Sequence, residues 1–283
     1  VRRCWPGPVT LVFNQTVPHG LVRQLPESVR RWVCPSGSLG LRVPSHAAVL
    51  DCQRLLPWPL VLTSASRNGQ TAAATAELVI QNLGSEIDTV LDDGPCRYGQ
   101  PASVVRVSGN SWAILREGVV TQAAIQRLAR RLILFVCTGN TCRSPMAEGL
   151  CKQLLSRKLN CRLEELAQRG YEIMSAGVAA ASGDPASAEA VEVMHEMGID
   201  LNDHASHALT AEIVYQADYI FTMTESHLRQ LSNLVPEAAG RMSLLRRDGG
   251  SIADPVGQDA DAYRRSAREI EANLKQIIGE LET

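Results

Sequence analysis

At 283 residues, 45% of them hydrophobic, the chain is long enough for two packed domains, and its formal net charge of −2 gives no electrostatic footprint for nucleic acid. No apolar run approaches the ~20 residues that span a bilayer, which excludes a membrane-crossing helix. Eight cysteines without a secretory context read as reduced thiols of a cytoplasmic protein rather than a disulfide framework. The start is unusual: Val1-Arg2-Arg3 leads into Trp5-Pro6-Gly7-Pro8 and not into an apolar leader, and the lack of an initiator Met points to a non-standard or missing beginning.

Residues 1–120 read as short apolar strands punctuated by Pro and Gly, over Val9–Phe13, Leu39–Val43, Leu60–Thr63 and Ser103–Val107. A helix is expected from Thr71 to about Asn82, with Ala72, Ala76, Val79 and Ile80 at helical spacing. Thr121 is a fitting N-cap for a polar helix over Gln122–Arg131, whose Arg127, Arg130 and Arg131 suit a helix C-terminus. That helix serves as the seam (126–131) between a first domain over 1–125 and a second over 132–283.

From Leu132 strands and helices alternate. Strands are expected at Leu132–Val136, Glu172–Ser175, Ala217–Met223 and Arg241–Leu245. Helices are expected at Ser144–Leu159, at Pro185–Met197 closed by Gly198, after Met223, and at the C-terminus. In the terminal helix Tyr263, Ala267, Ile270, Leu274, Ile277 and Leu281 share one face. The fold class that follows is α/β: a doubly wound, four-stranded parallel sheet with ligands bound beyond the carboxyl ends of its strands.

The segment Cys137-Thr138-Gly139-Asn140-Thr141-Cys142-Arg143-Ser144-Pro145 joins the first of these strands to its helix. A Cys and an Arg separated by five residues are a weak signal alone; the context makes it specific. Gly139-Asn140 permits unusual backbone angles, and Ser144-Pro145 fits N-cap and N1. Such a turn aims successive amide N–H groups into one concavity at a helix N-terminus, where an anion is stabilised. Arg143 adds a planar fork matched to two phosphoryl oxygens. The same field favours the ionised, nucleophilic form of the Cys137 thiol. A proton donor for a leaving group is also needed, and Asp254, in Ala253-Asp254-Pro255 just before the terminal helix, lies on the ligand side of the sheet.

Phe135 to Glu148, with Ser175-Ala176-Gly177, Asp203-His204-Ala205-Ser206, Ala217-Asp218, Met223-Thr224 and Asp254-Pro255, resembles the low-molecular-weight protein-tyrosine-phosphatase family over residues 132–283. The resemblance implies a phosphatase acting on phosphorylated protein through a phosphocysteine, with no cofactor and no metal. Cys137 would be nucleophile, Arg143 phosphate ligand and Asp254 general acid then base. Thr138, Gly139, Asn140, Thr141, Cys142 and Ser144 would form the phosphate loop, with Ser144 bonded to the thiolate. Asn140, Ser175 and His204 would brace that loop.

Thr141 departs from the bulky aliphatic residue of most tyrosine-specific relatives and resembles the protein-arginine-phosphatase branch. Phosphoarginine is therefore the favoured substrate, and phosphotyrosine the alternative. Val256-Gly257 after the Asp-Pro, in place of aromatic residues, points the same way. A reversible Cys137–Cys142 disulfide is a protective device the family implies. Arsenate reductases share such a loop but need resolving thiols downstream, and no Cys follows Cys161.

In the first half, Trp5 to Val12, Leu41 to His46, Thr63-Ser64-Ala65-Ser66, Leu91 to Pro95 and Ile114 to Gly118 resemble the carboxyl portion of the YrdC-like threonylcarbamoyl-AMP synthase domain, an incomplete α+β unit over 1–125. That resemblance would place Arg42 and Thr63 near threonine, and Ser64 and Arg116 near ATP. The family's Lys-X-Arg motif is missing, and Ser66 stands where the pattern has Asn. A remnant with a vestigial nucleotide or tRNA-pathway link is expected, the alternative being a bifunctional enzyme.

Overall fold

The computed structural model describes residues 1–14, 20–34, 36–66, 72–109 and 111–281. The chain forms two compact units, Val1–Leu128 and Ala129–Thr283.

The first unit comprises β1 (Val9–Asn14), α1 (Glu27–Val33), β2 (Ser38–Leu41), α2 (Ala47–Leu55), α3 (Ala76–Leu83), β3 (Ser103–Ser108), β4 (Ser111–Arg116) and α4 (Gln122–Leu128). The strands form one sheet in the order β2-β1-β3-β4, with β1 and β3 parallel and the outer pairs antiparallel. Its core is small, made of Val9, Leu11, Val105 and Ile125. The buried hydroxyl of Ser103 pins the turn before α4: it donates to the Val120 carbonyl at 2.7 Å and accepts from the Gly118 and Val120 amides at 3.1 and 3.0 Å.

Three expectations need correction here. Leu60–Thr63 forms no strand and lies exposed: Pro57 and Pro59 precede it, and no strand among the described residues pairs with it. The helix expected from Thr71 begins at Ala76, where the Thr75 hydroxyl accepts the Leu78 amide at 3.4 Å and caps it; Ala72 precedes it and Thr71 lies outside the described residues. The helix expected over Gln122–Arg131 stops at Leu128, and Arg131 already belongs to the next strand.

The second unit runs β5 (Arg131–Cys137), α5 (Arg143–Leu159), β6 (Tyr171–Gly177), α6 (Ala188–Glu196), α7 (Ala211–Gln216), β7 (Tyr219–Thr222), α8 (Glu225–Leu234), β8 (Met242–Leu244) and α9 (Ala260–Glu280). All four strands are parallel, in the order β6-β5-β7-β8. Because β5 is central and covered on both faces, it reads as a continuous apolar run rather than an alternating one. Ile133 and Phe135 pack with α5, α6 and α9. Leu132, Leu134 and Val136 pack on the opposite face with Val214 of α7 and Leu231 of α8. The 3.6-residue stripe of α9, including Ala267, Ile270, Leu274 and Ile277, is buried in the first of these cores. Each fully buried aliphatic side chain contributes roughly 1.5–3 kcal/mol, so this helix fixes the segment that precedes it, including Asp254. The helix expected from Pro185 starts later, at Ala188, because the Ser187 hydroxyl accepts the Ala190 amide at 3.3 Å.

Candidate active site

The loop 138–142 leaves the carboxyl end of β5 and returns into the first turn of α5, burying Cys137, Cys142, Arg143 and Ser144. It closes on itself at Asn140, whose φ of 56° lies in the left-handed region. Such a conformation costs about 1–2 kcal/mol for an L-residue, and Asn tolerates it because its side chain can bond locally. Here the side chain is held at both ends. Its amide nitrogen donates to Ser144 Oγ and to Ser175 Oγ, each at 2.9 Å, and its Oδ1 accepts the His207 amide at 2.7 Å. The Asn140 carbonyl accepts from His204 Nε2 at 2.8 Å, which requires the tautomer protonated on Nε2.

The network ends at the sulfur. Cys137 Sγ accepts the Asn140 amide at 3.2 Å and lies 2.9 Å from Ser144 Oγ. Since Ser144 Oγ already accepts from Asn140, its own proton is free to point at the sulfur. Behind the loop, Ser175 donates to Glu148 Oε2 at 2.6 Å, and Lys152 pairs with the other oxygen of that carboxylate. A groove of about 500 Å³ lies on that side, lined in part by Glu148, Lys152, Ser175, Asp203, His204 and His207, and reached by neither Cys137 nor Arg143.

Arg143 enters the site from the first residue of α5. Its Nη1 donates to the Ile252 carbonyl at 3.1 Å and its Nη2 to the Asp254 carboxylate. Asp254 is half-exposed, and its other oxygen accepts the Val256 amide at 3.3 Å. Ile252 is itself anchored, donating its amide to Met223 O at 2.8 Å, while Met223 donates to Val136 O. The segment that carries Asp254 is thereby tied to the sheet beside the loop.

Of the residues expected in the second unit's site, Cys137, Asn140, Ser144, Ser175 and His204 share one hydrogen-bonded network, Arg143 pairs with Asp254, and Thr141 and Cys142 are neighbours in the same loop. The Thr141 hydroxyl lies 3.6 Å from the sulfur of Cys142, which is also 3.4 Å from Ser187 Oγ and from Tyr263 OH. Burial, and then the bond to Cys142, pushes the Tyr263 hydroxyl up to about 12. Cys137 and Cys142 are both free thiols. In the first unit, Arg42 donates to the Gly7 carbonyl at 3.0 Å and Arg116 to the Ala102 carbonyl at 3.0 Å, whereas Thr63 and Ser64 lie exposed in an irregular segment.

Sequence reasoning missed Glu148, which follows the loop by less than two helical turns, and His227, whose Nε2 lies 3.0 Å from Thr138 Oγ1. A charge on the sheet-facing side of α5 could have flagged the first; nothing distinguished the second from any helical histidine.

The family model for low molecular weight phosphotyrosine protein phosphatase matches residues 132–283. The chain belongs to that family. A protein-arginine-phosphatase of Geobacillus stearothermophilus is 37% identical over 155 residues, covering 53% of this chain and 96% of the relative. A protein-arginine-phosphatase of Bacillus subtilis is 36% identical over 154 residues, covering 53% and 95%. A probable low molecular weight protein-tyrosine-phosphatase of Ralstonia nicotianae is 34% identical over 145 residues, covering 51% and 91%. This phosphatase-family unit is preceded by residues 1–118, which match a second model, described as telomere recombination and taking in YrdC. No helix among the described residues is long and apolar enough to cross a membrane.

Proposed function

We propose that the chain hydrolyses phosphorylated protein side chains through a phosphocysteine on Cys137, phosphoarginine being the preferred substrate. The observation that carries the reading is the junction at one loop of a buried sulfur, held by Ser144 and the Asn140 amide, with a guanidinium already paired to Asp254. In the first step the sulfur attacks phosphorus. An S–P bond forms as the P–N bond breaks, and Asp254 gives its proton to the departing guanidine nitrogen. Charge on the equatorial oxygens is met by the loop amides and the Arg143 fork, which are fixed before the reaction begins. In the second step Asp254 takes a proton from water, the water oxygen attacks phosphorus, and the S–P bond breaks to release phosphate and regenerate the sulfur nucleophile.

Support for phosphoarginine comes from Thr141 at the loop position and from two relatives named as arginine phosphatases. The alternative substrate is phosphotyrosine, the class named for the Ralstonia relative. Turnover of phosphoarginine and phosphotyrosine peptides by wild type and Thr141→Ile decides between them. The variant should move the ratio of the two rates toward phosphotyrosine by about tenfold or more. An unchanged ratio would remove the arginine assignment.

The work would take place in the cytoplasm, where reducing conditions keep all eight cysteines as thiols. We further propose a division at residues 126–131 between this enzyme and a YrdC-like remnant over 1–125. The remnant would retain at most a nucleotide or tRNA-pathway link through Arg42, Thr63, Ser64 and Arg116. Production of pyrophosphate from ATP with threonine and bicarbonate would overturn the remnant reading in favour of a bifunctional enzyme.

A further inference from the structure

The bracing described so far acts on the middle of the loop, at Asn140. The loop begins at Thr138, the residue directly after the nucleophile. Its main chain is fixed from the β6 side, where Ala179 donates its amide to the Thr138 carbonyl at 2.9 Å. Its side chain is fixed from the opposite side, where Thr138 Oγ1 lies 3.0 Å from Nε2 of His227 in α8. The ring is held in turn by Thr224, whose Oγ1 lies 3.0 Å from Nδ1. Thr224 also caps α8, accepting the His227 amide at 3.3 Å.

We infer that His227 is a positioning residue of the phosphatase, holding the first turn of the phosphate loop through a Thr224–His227–Thr138 relay. This rests on the phosphatase reading and adds to it a third anchor, supplied by α8, beside those of β6 and the segment 204–207. The ring is buried, and its purpose is not to stabilise its own helix, because Thr224 already satisfies that N-terminus. Both ring nitrogens meet a hydroxyl, and a hydroxyl can either donate or accept, so one neutral tautomer satisfies both bonds. Burial lowers the His227 pKa, the Arg143 charge lowers it further, and Asp254 opposes them. The ring is thus neutral at pH 7, with one donor and one acceptor.

The chemistry of the imidazole suggests a test by partial replacement. The terminal nitrogen of Gln can stand where Nε2 does and reach Thr138. Asn mimics Nδ1 and reaches Thr224 only. In the full chain, His227→Gln should keep kcat/KM for para-nitrophenyl phosphate within about threefold of wild type, while His227→Asn should lose about tenfold, with a matching loss of orthovanadate affinity. Thr138→Val should resemble His227→Asn, and the double variant should lose no more than either alone, since both remove the same bond. A merely structural histidine would give Gln and Asn variants of equal activity, and additive losses with Thr138→Val; either result overturns the inference. Because vanadate binding is read separately from turnover, the two failures part. Inactive but vanadate-binding proteins would count against the phosphatase reading. Equal vanadate affinity in wild type, Gln and Asn variants would count against His227.

Discussion

Gly177 offers the sharpest test of whether the loop works as a rigid cradle. It ends β6 in register with Cys137, its amide donates to the His207 carbonyl at 2.9 Å, and its carbonyl accepts the Leu209 amide at 2.9 Å, so its backbone is tied down on both sides. A Cβ added there would lie 2.4 Å from the Thr138 carbonyl oxygen, 2.8 Å from Ala180 Cβ and 2.9 Å from the Asn140 nitrogen. Ordinary contact begins near 3.4 Å, so Gly177→Ala must displace the loop or the strand end by about 1 Å. Two of the three colliding atoms are loop backbone, which cannot swing aside as a side chain would. Overpacking of this kind costs about 1–3 kcal/mol of stability. A displacement of about 1 Å in a group that positions the reacting atoms can cost on the order of 100-fold in rate. Denaturant unfolding should therefore show a loss of about 2 kcal/mol, and kcat/KM for para-nitrophenyl phosphate should fall on the order of 100-fold. A variant that keeps both its midpoint and its turnover within twofold would refute the idea that this glycine is needed for close approach.

Asp254→Ala should slow substrates with poor leaving groups by about 10²–10⁴-fold and para-nitrophenyl phosphate far less, because only the former need a proton at departure; equal losses on both would deny Asp254 the role of general acid. Burial, then the Glu148 carboxylate, pushes the buried Cys151 thiol up to about 12 from 9.0, with Lys152 opposing. The folded protein holds that proton more tightly than the unfolded chain, so its contribution is complete below about pH 9 and is lost as pH rises toward 12. Denaturation at pH 8 and pH 10 should accordingly show about 1 kcal/mol of alkaline loss that Cys151→Ala lacks, and identical slopes would contradict it.

The residues that were legible in the sequence are those whose signal is local. The run Leu132–Val136, the Gly139-Asn140 turn and the Ser144-Pro145 pair lie within fourteen residues and mark strand, loop and helix in order, although α5 begins one residue before the expected cap, at Arg143, because the Ser144 hydroxyl is taken up by Cys137 and Asn140 and caps nothing. The α9 stripe was equally plain, because six turns of helix leave little room for another period. α7, at six residues, is too short to show one. Besides its neighbours Cys137 and Ser144, Asn140 has partners 35 and more residues away, at Ser175, His204 and His207, and only resemblance to a family pointed to the first two. Leu60–Thr63 misled for the opposite reason: an apolar tetrapeptide carries strand propensity, but with no ladder beside it among the described residues the propensity has nothing to stabilise. Ala72 fell outside α3 because alanine fits the helical period anywhere, whereas the side chain of Thr75 specifies one start.

The central claim is that phosphate passes through the sulfur of Cys137. Rapid acid quench during turnover of a phosphoarginine peptide, followed by proteolysis and mass mapping, should find one phosphoryl group on the peptide that contains Cys137, chased away on further incubation and absent from Cys137→Ala treated alike. Brisk turnover with no phosphoryl group on that peptide, or with turnover surviving in Cys137→Ala, would contradict the account.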